Sequence, residues 1–257
     1  MSILFEDLNE YDGKHTEFPA CNENIDLWRK VLKDVRVDNA GVVCSGGEVA
    51  FFAILPCVRK RMEAIDHAYG SMYYALGKYH IIEKLGSKQA HKLFNEYHEG
   101  PFKELLEEAN RGLPTRPATR AYSGTSPSAV TKILRKLTQK DLTEFRANRE
   151  KVRFVHGDLN DLVERGPFDL VYLSNALEYN GRNGYEFNVK GMVKPGGYLA
   201  LAASKYRNTE GRYLRGFKLL ANEKMESEYP LTSYSYRPPD PRQYGLGWDY
   251  KLYQVPA

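Results

Sequence analysis

The stretch Ala40-Gly-Val-Val-Cys-Ser-Gly-Gly-Glu48 decides the fold class of this chain. Its first five residues predict a buried β-strand, and Ser45-Gly46-Gly47-Glu48 predicts a tight turn, because glycine adopts backbone conformations that other residues avoid. The apolar run at residues 49–55 predicts a helix that Pro56 ends. A strand that passes through a glycine turn into a helix is typical of a parallel α/β sheet.

The same alternation continues on both sides of this unit. Residues 24–35 predict a helix, because apolar side chains recur there every three or four positions. Residues 62–66 predict a second strand, followed by a helix that ends near Gly86. Beyond it the sequence predicts a helical insertion at 87–150, strands at 151–156, 168–173, 198–203, 231–236 and 248–255, a turn at 194–197 and helices near 161–164 and 210–225.

These elements predict an α/β fold with a doubly wound, mostly parallel sheet. Strands that alternate with helices form parallel sheets covered on both faces, and the consecutive strands at the C-terminus predict an antiparallel edge. We expect one domain over residues 1–257, with residues 87–150 as a helical insertion.

The composition is that of a globular protein, with 257 residues, of which 42% are hydrophobic and 27% charged. It excludes disordered, collagen-like and fibrous proteins. Neither a membrane span nor a signal peptide is indicated, so we expect a cytoplasmic protein. Cys21, Cys44 and Cys57 fit neither a disulfide framework nor a zinc site, and we expect no metal.

The net charge of +4 is too small to favour a nucleic-acid partner, but the charge is unevenly distributed. Residues 109–140 contain basic side chains and no acid. Such a stretch fits an anionic ligand, a phospholipid surface or RNA, although a solvated basic face is the commoner explanation. The sequence indicates no particular oligomeric state.

Ligands of open parallel sheets bind at the carboxyl ends of the strands, near the point where the strand order reverses. Four predicted turns lie at such ends: Ser45-Gly46-Gly47-Glu48, Asp66, Gly157-Asp158-Leu159 and Ser174-Asn175-Ala-Leu-Glu-Tyr179. A carboxylate about 20 residues after a glycine turn can accept hydrogen bonds from a ribose diol, so the set predicts a nucleoside-containing ligand. Helix caps and ordinary turns are the alternative for each of them.

Five motifs follow one another along the chain: Cys44-Ser-Gly-Gly-Glu, Ala64-Ile-Asp66, Gly157-Asp-Leu, Phe168-Asp-Leu-Val-Tyr-Leu-Ser-Asn175 and Val193-Lys-Pro-Gly-Gly197. Together they resemble the motifs of class I S-adenosylmethionine-dependent methyltransferases, which have a Rossmann-like fold. Within that superfamily the chain is similar to the 3-amino-3-carboxypropyl transferases, the branch of the betaine-lipid synthases. The shared features include Leu173-Ser174-Asn175 and a long insertion before the third strand. The first turn departs from the usual three-glycine pattern, and the chain is shorter than the lipid synthases, which leaves small-molecule relatives such as isonocardicin synthase and azetidine-2-carboxylate synthases as further models.

The resemblance implies a transferase that uses S-adenosylmethionine as donor and releases methylthioadenosine, with a small molecule, a lipid or the donor itself as acceptor. It assigns the ribose to Asp66, the adenine to Asp158 and Leu159 beside Gly157, and the methionyl part to Ser45, Gly46, Gly47 and Glu48. Tyr69, Ser71 and Met72 would line the adenosine. Ser174, Asn175 and Tyr179 would orient the aminocarboxypropyl chain, and residues 87–150 would form a lid over the acceptor. His67 is a candidate base, although a position beside the adenosine without proton transfer is the favoured interpretation.

Three other functions are alternatives for this sequence. A conventional small-molecule methyltransferase would use every one of the donor-binding positions. An RNA-modifying or RNA-binding protein would use the basic stretch at 109–140, and its affinity would fall steeply with salt. A binding module that has lost catalysis would bind the nucleoside and turn nothing over.

Overall fold

The computed structural model describes residues 23–67, 69–95, 137–174, 188–204, 213–224 and 248–256, together with 104, 105, 107, 108, 111 and 176. The helices in these ranges are α1 (Ile25–Val31), α2 (Tyr69–Asn95), α3 (Gln139–Asn148), α4 (Leu159–Arg165) and α5 (Val189–Met192). The strands are β1 (Val37–Val43), β2 (Val58–Asp66), β3 (Val152–His156), β4 (Phe168–Tyr172), β5 (Val193–Ser204), β6 (Lys218–Lys224) and β7 (Trp248–Gln254).

The strands form one seven-stranded sheet in the order β3-β2-β1-β4-β5-β7-β6. The first five strands of the chain pair in parallel, while β7 is antiparallel to both β5 and β6. After β1 the chain builds outward through β2 and β3, then returns to place β4 on the other side of β1. The strand order therefore reverses between β1 and β4, and the crevice at their carboxyl ends is the expected ligand position.

Two apolar clusters cover the two faces of the sheet. Side chains alternate between the faces of a strand, and β4 shows this directly: Leu170 and Tyr172 belong to one cluster, whereas Val171 belongs to the other. Helices α1, α2 and α3 contribute to the first cluster, and α4 and α5 contribute to the second. The prediction of a doubly wound, mostly parallel α/β fold with an antiparallel C-terminal edge is confirmed.

Two predicted helices have a different form. Residues 49–55 form a π-helical turn (Ala50–Ile54) that continues into a 3₁₀ turn (Leu55–Cys57), where one regular helix was expected. The second helix was expected to end near Gly86. Gly86 does interrupt α2, with a φ of 77° and a ψ of 162°, but the helix continues beyond it to Asn95.

The helix predicted at residues 210–225 is wrong over 218–224, which form the edge strand β6 against β7. The turn predicted at 194–197 lies inside β5 as a bulge, because Phe168 pairs with Val193 while Leu170 already pairs with Tyr198. The strand predicted at 248–255 is confirmed as β7, and the one predicted at 231–236 lies outside the described residues.

Part of the predicted insertion contributes to the core. Leu142 and Phe145 of α3 are buried, and the Phe145 ring lies 5.0 Å from that of Phe51. The remainder of residues 87–150 is only partly described, so the prediction of a lid there stays a prediction. In the ranges given above, no helix combines the length and the apolar character needed to cross a bilayer.

Candidate functional site at the strand crossover

The candidate site lies where β1 and β4 end side by side. The pairing of Val42 with Tyr172 fixes their register, so that Ser45 and Ser174 follow at adjacent strand ends. Both serines adopt left-handed backbone conformations, with φ of 46° for Ser45 and 53° for Ser174. Non-glycine residues rarely adopt this conformation, which costs about 1 to 3 kcal/mol and is concentrated at ligand sites.

The glycine turn after β1 is closed by its own backbone. Gly47 N donates to Cys44 O at 2.8 Å, and Phe51 N donates to Gly47 O at 2.8 Å. Gly47 has a φ of 94°, and a Cβ there would lie 2.7 Å from Cε2 of Phe51 and 3.1 Å from Cβ of Ala75. Only glycine therefore fits this position, because a side chain would meet both an unfavourable φ and the ring.

A buried ion pair holds the turn from below. Lys78 of α2 and Glu48 are 2% and 0% exposed and form a direct ion pair, and Lys78 Nζ also donates to Gly46 O at 2.8 Å. The ammonium thus ties the backbone of the turn to α2. Because Glu48 is buried and paired with Lys78, it stabilises the turn from inside the protein and does not face a ligand as a solvated charge.

Asp66 links the end of β2 to the glycine turn. Its Oδ2 accepts from Ser45 N at 2.8 Å, and its Oδ1 lies 3.7 Å from Nδ1 of the exposed His67. The carboxylate is only 7% exposed. On the other side, Gly157 N donates to Asp66 O at 3.1 Å, which joins the third strand end to the second. Ser45, Asp66 and Gly157 therefore lie in one row at the carboxyl edge of the sheet.

The carboxylates of this row also affect the neighbouring thiol. Cys44 is buried immediately before Ser45, and burial together with the charges of Asp66 and Glu48 holds its pKa well above the ordinary value. The thiol is therefore neutral and chemically inert at physiological pH.

The turn after β3 uses its polar groups for a helix cap. The Asp158 side chain accepts from Asn160 N at 2.6 Å, and Asp161 Oδ2 accepts from Asp158 N at 2.7 Å, which together form a capping box on α4. The Leu159 side chain packs into the core. The helix-cap interpretation of Asp158 is thus confirmed, while the adenine contact of Asp158 and Leu159 stays a prediction.

Ser174 is held by a residue that the sequence analysis missed. Glu23 accepts a hydrogen bond from Ser174 Oγ, and its Oε2 accepts from Tyr172 OH at 2.7 Å and from Trp28 Nε1 at 2.6 Å. Burial raises the pKa of Glu23, and the three hydrogen bonds oppose that rise. Its one sequence signal is an acid directly before Asn24, which caps α1, and that signal does not place it beside β4.

The remaining predicted positions lie on α2 or outside the described residues, and their contacts with a ligand stay predictions. Ser71 and Met72 are fully buried on α2, and Met72 belongs to the core beneath the sheet. Tyr69 begins α2, and its side chain is not described. Asn175 and Tyr179 lie outside the described residues. Within those residues, no three His, Cys, Asp or Glu side chains converge as a metal site requires.

Known proteins resemble the chain through their folds. No protein-family model and no curated protein sequence matches it. Among solved structures, N-methyltransferase NodS from Bradyrhizobium japonicum WM9, in complex with S-adenosyl-L-homocysteine, is 11% identical with a TM-score of 0.43, over 90% of this chain and 85% of that one. The rRNA methyltransferase aviRa from Streptomyces viridochromogenes is 13% identical with a TM-score of 0.47, over 94% and 89%. The [4+2]-cyclase SpnF is 14% identical with a TM-score of 0.45, over 96% and 85%. At these values the likeness concerns the fold alone.

Proposed function

We propose that the chain is an S-adenosylmethionine-dependent transferase in which the 3-amino-3-carboxypropyl carbon is attacked and methylthioadenosine leaves. In this reaction the acceptor forms a bond to that carbon while the carbon–sulfur bond of the sulfonium breaks. The acceptor is a small molecule, a lipid, or a nucleophile of the donor itself. The aminocarboxypropyl assignment rests on the motif resemblance between residues 40 and 204.

The hydrogen bond from Ser45 N to Asp66 Oδ2 is the observation that carries the proposal. It sets a carboxylate beside a glycine turn at the strand crossover, which is where a ribose and the chain attached to it meet the sheet in doubly wound folds. A carboxylate has about four acceptor positions, so one carboxylate can accept from Ser45 N and from ribose hydroxyls together.

The surrounding residues fit the rest of such a donor. Ser45, Gly46 and Gly47 present backbone to the methionyl part, while Glu48 fixes their conformation through Lys78. Ser174 lies at the adjacent strand end, where the aminocarboxypropyl chain would extend. We assign the orientation of that chain to Ser174, with Asn175 and Tyr179 following it in sequence. Which substituent of the sulfonium lies in line with the acceptor, at roughly 3 to 3.5 Å, then selects the product.

The experiment that tests the proposal is mass spectrometry of the purified protein with S-adenosylmethionine, alone and with a cell extract. Methylthioadenosine is the expected product, and its formation without extract identifies the donor as its own acceptor. S-adenosylhomocysteine would instead identify a conventional methyltransferase, which the same site would serve equally well. If neither nucleoside accumulates and S-adenosylmethionine does not bind in calorimetry, the proposal is wrong.

A further inference from the structure

Glu23 occupies a built site between α1 and the end of β4. It is 4% exposed, and the donors that reach it from the described residues are neutral: Trp28 Nε1, Tyr172 OH and Ser174 Oγ. Aromatic packing fixes that position, because the Trp28 ring meets Tyr172 and Tyr250 edge-on at 5.2 Å and 5.1 Å. Next to it, Asn24 N donates to Tyr250 OH at 2.9 Å.

Glu23 differs from the other buried acids in its charge environment. Among the described residues, Glu48 pairs with Lys78, Glu63 with Arg61 and Asp141 with Arg29, while Asp66 lies 3.7 Å from His67, which is a cation only when protonated. Among the residues that the structure describes, none forms an ion pair with Glu23. A buried carboxylate without a cation is expensive, and the amide oxygen of a neutral glutamine could still accept from Trp28 Nε1 and Tyr172 OH. The charge is therefore explained better by a ligand than by folding stability.

The Ser174 hydroxyl links the Glu23 carboxylate to the end of β4. A hydroxyl has one proton, and that of Ser174 is donated to Glu23, so the same oxygen meets any further partner as an acceptor. Hydrogen bonds in such a chain polarise one another, which strengthens Ser174 Oγ as an acceptor. The left-handed backbone at Ser174, with a φ of 53°, holds this group at the crossover crevice.

We infer that Glu23 is a positioning residue that acts through Ser174 to recognise a substrate ammonium group at the end of β4. The inference rests on the proposed function and deepens it, since the aminocarboxypropyl chain carries such a group. Glu23 supplies the negative charge, and Ser174 Oγ accepts the hydrogen bond from the ammonium. The site would thus select ligands that carry the amino acid part over those with adenosine alone.

Calorimetric titration of Glu23→Gln with S-adenosylhomocysteine and with methylthioadenosine tests this assignment. Both ligands have an adenosine and a neutral sulfur, and they differ in the aminocarboxypropyl chain. We expect the variant to lose at least about tenfold in affinity for S-adenosylhomocysteine and less than about twofold for methylthioadenosine. Glu164→Gln is the matched control, because it removes one exposed negative charge on α4 and should change neither affinity.

Ser174→Ala provides an independent second variant. It should show the same selective loss, and the double variant should be no weaker than either single one, because both changes remove one coupled interaction. Equal losses for both ligands would assign Glu23 a purely structural role and overturn the inference, as would wild-type affinities in both variants. If the wild-type protein binds neither ligand, the proposed function itself is wrong.

Discussion

Replacing Lys78 by methionine should unfold the glycine turn, because Lys78 is the link between that turn and α2. The side chain is 2% exposed and pairs with Glu48, which is 0% exposed. Methionine keeps most of the volume but leaves the Glu48 carboxylate buried without its cation, and it removes the 2.8 Å bond to Gly46 O. Breaking a buried pair in this way costs about 3 to 5 kcal/mol.

The assay is urea denaturation together with titration of S-adenosylhomocysteine. Lys30→Met is the control, because Lys30 pairs with Glu223 at 2.7 Å but is 61% exposed, and a surface pair of this kind contributes about 0 to 1 kcal/mol. Adding Glu48→Gln to Lys78→Met should recover part of the loss, since the unpaired charge is then gone. A Lys78→Met protein that loses no more stability than the control and keeps its ligand affinity would refute this reasoning.

Three further changes test other parts of the site. Asp66→Ala should weaken nucleoside binding in calorimetry by about 1.5 to 3 kcal/mol, whereas Asp34→Ala on the exposed surface should leave the affinity unchanged. Unchanged affinity in a folded Asp66→Ala protein would show that Asp66 does not belong to the site. Gly47→Ala should destabilise the fold toward urea more than Gly196→Ala does. Both glycines have a positive φ, but a Cβ at Gly47 would meet the Phe51 ring, whereas one at Gly196 meets nothing within 4 Å. Equal losses of stability would show that the contact with the Phe51 ring is unimportant. Burial raises the pKa of Glu23, so its contribution to stability is fully present below the ordinary glutamate pKa and is lost as pH rises through the folded-state pKa. As the pH rises above the ordinary glutamate pKa, wild type should therefore lose stability relative to Glu23→Gln, and a difference that does not change with pH would contradict the burial argument.

The parallel part of the sheet and the row of turns along it could be predicted from sequence, because both depend on local patterns. Ser45-Gly46-Gly47 follows a buried strand, and Asp66 ends the next one, so their contact follows once parallel strands are assumed. The same patterns could not separate the two uses of Asp158. A carboxylate three residues before Asp161 fits a helix cap as well as a ligand contact, and the structure adds only the cap.

Other parts depend on tertiary contacts that a local pattern does not contain. The sequence of β6, Lys-Leu-Leu-Ala-Asn-Glu-Lys, is rich in good helix formers, yet pairing with β7 makes it a strand. Residues 50–54 are all buried, so no polar face distinguished a π-helical turn from a regular helix. Glu23 forms a hydrogen bond with Ser174, which lies 151 positions away in the chain.

The contacts of α1 also bear on how the protein is made. Asn24 and Tyr250 are 226 positions apart, and their hydrogen bond joins the start of α1 to β7. During synthesis the N-terminal residues leave the ribosome first, but this bond cannot form until Tyr250 has emerged. Trp28 therefore remains without the Tyr250 ring that packs against it until β7 has emerged. A nascent chain stalled before β7 consequently cannot complete the packing of Trp28 beside Glu23.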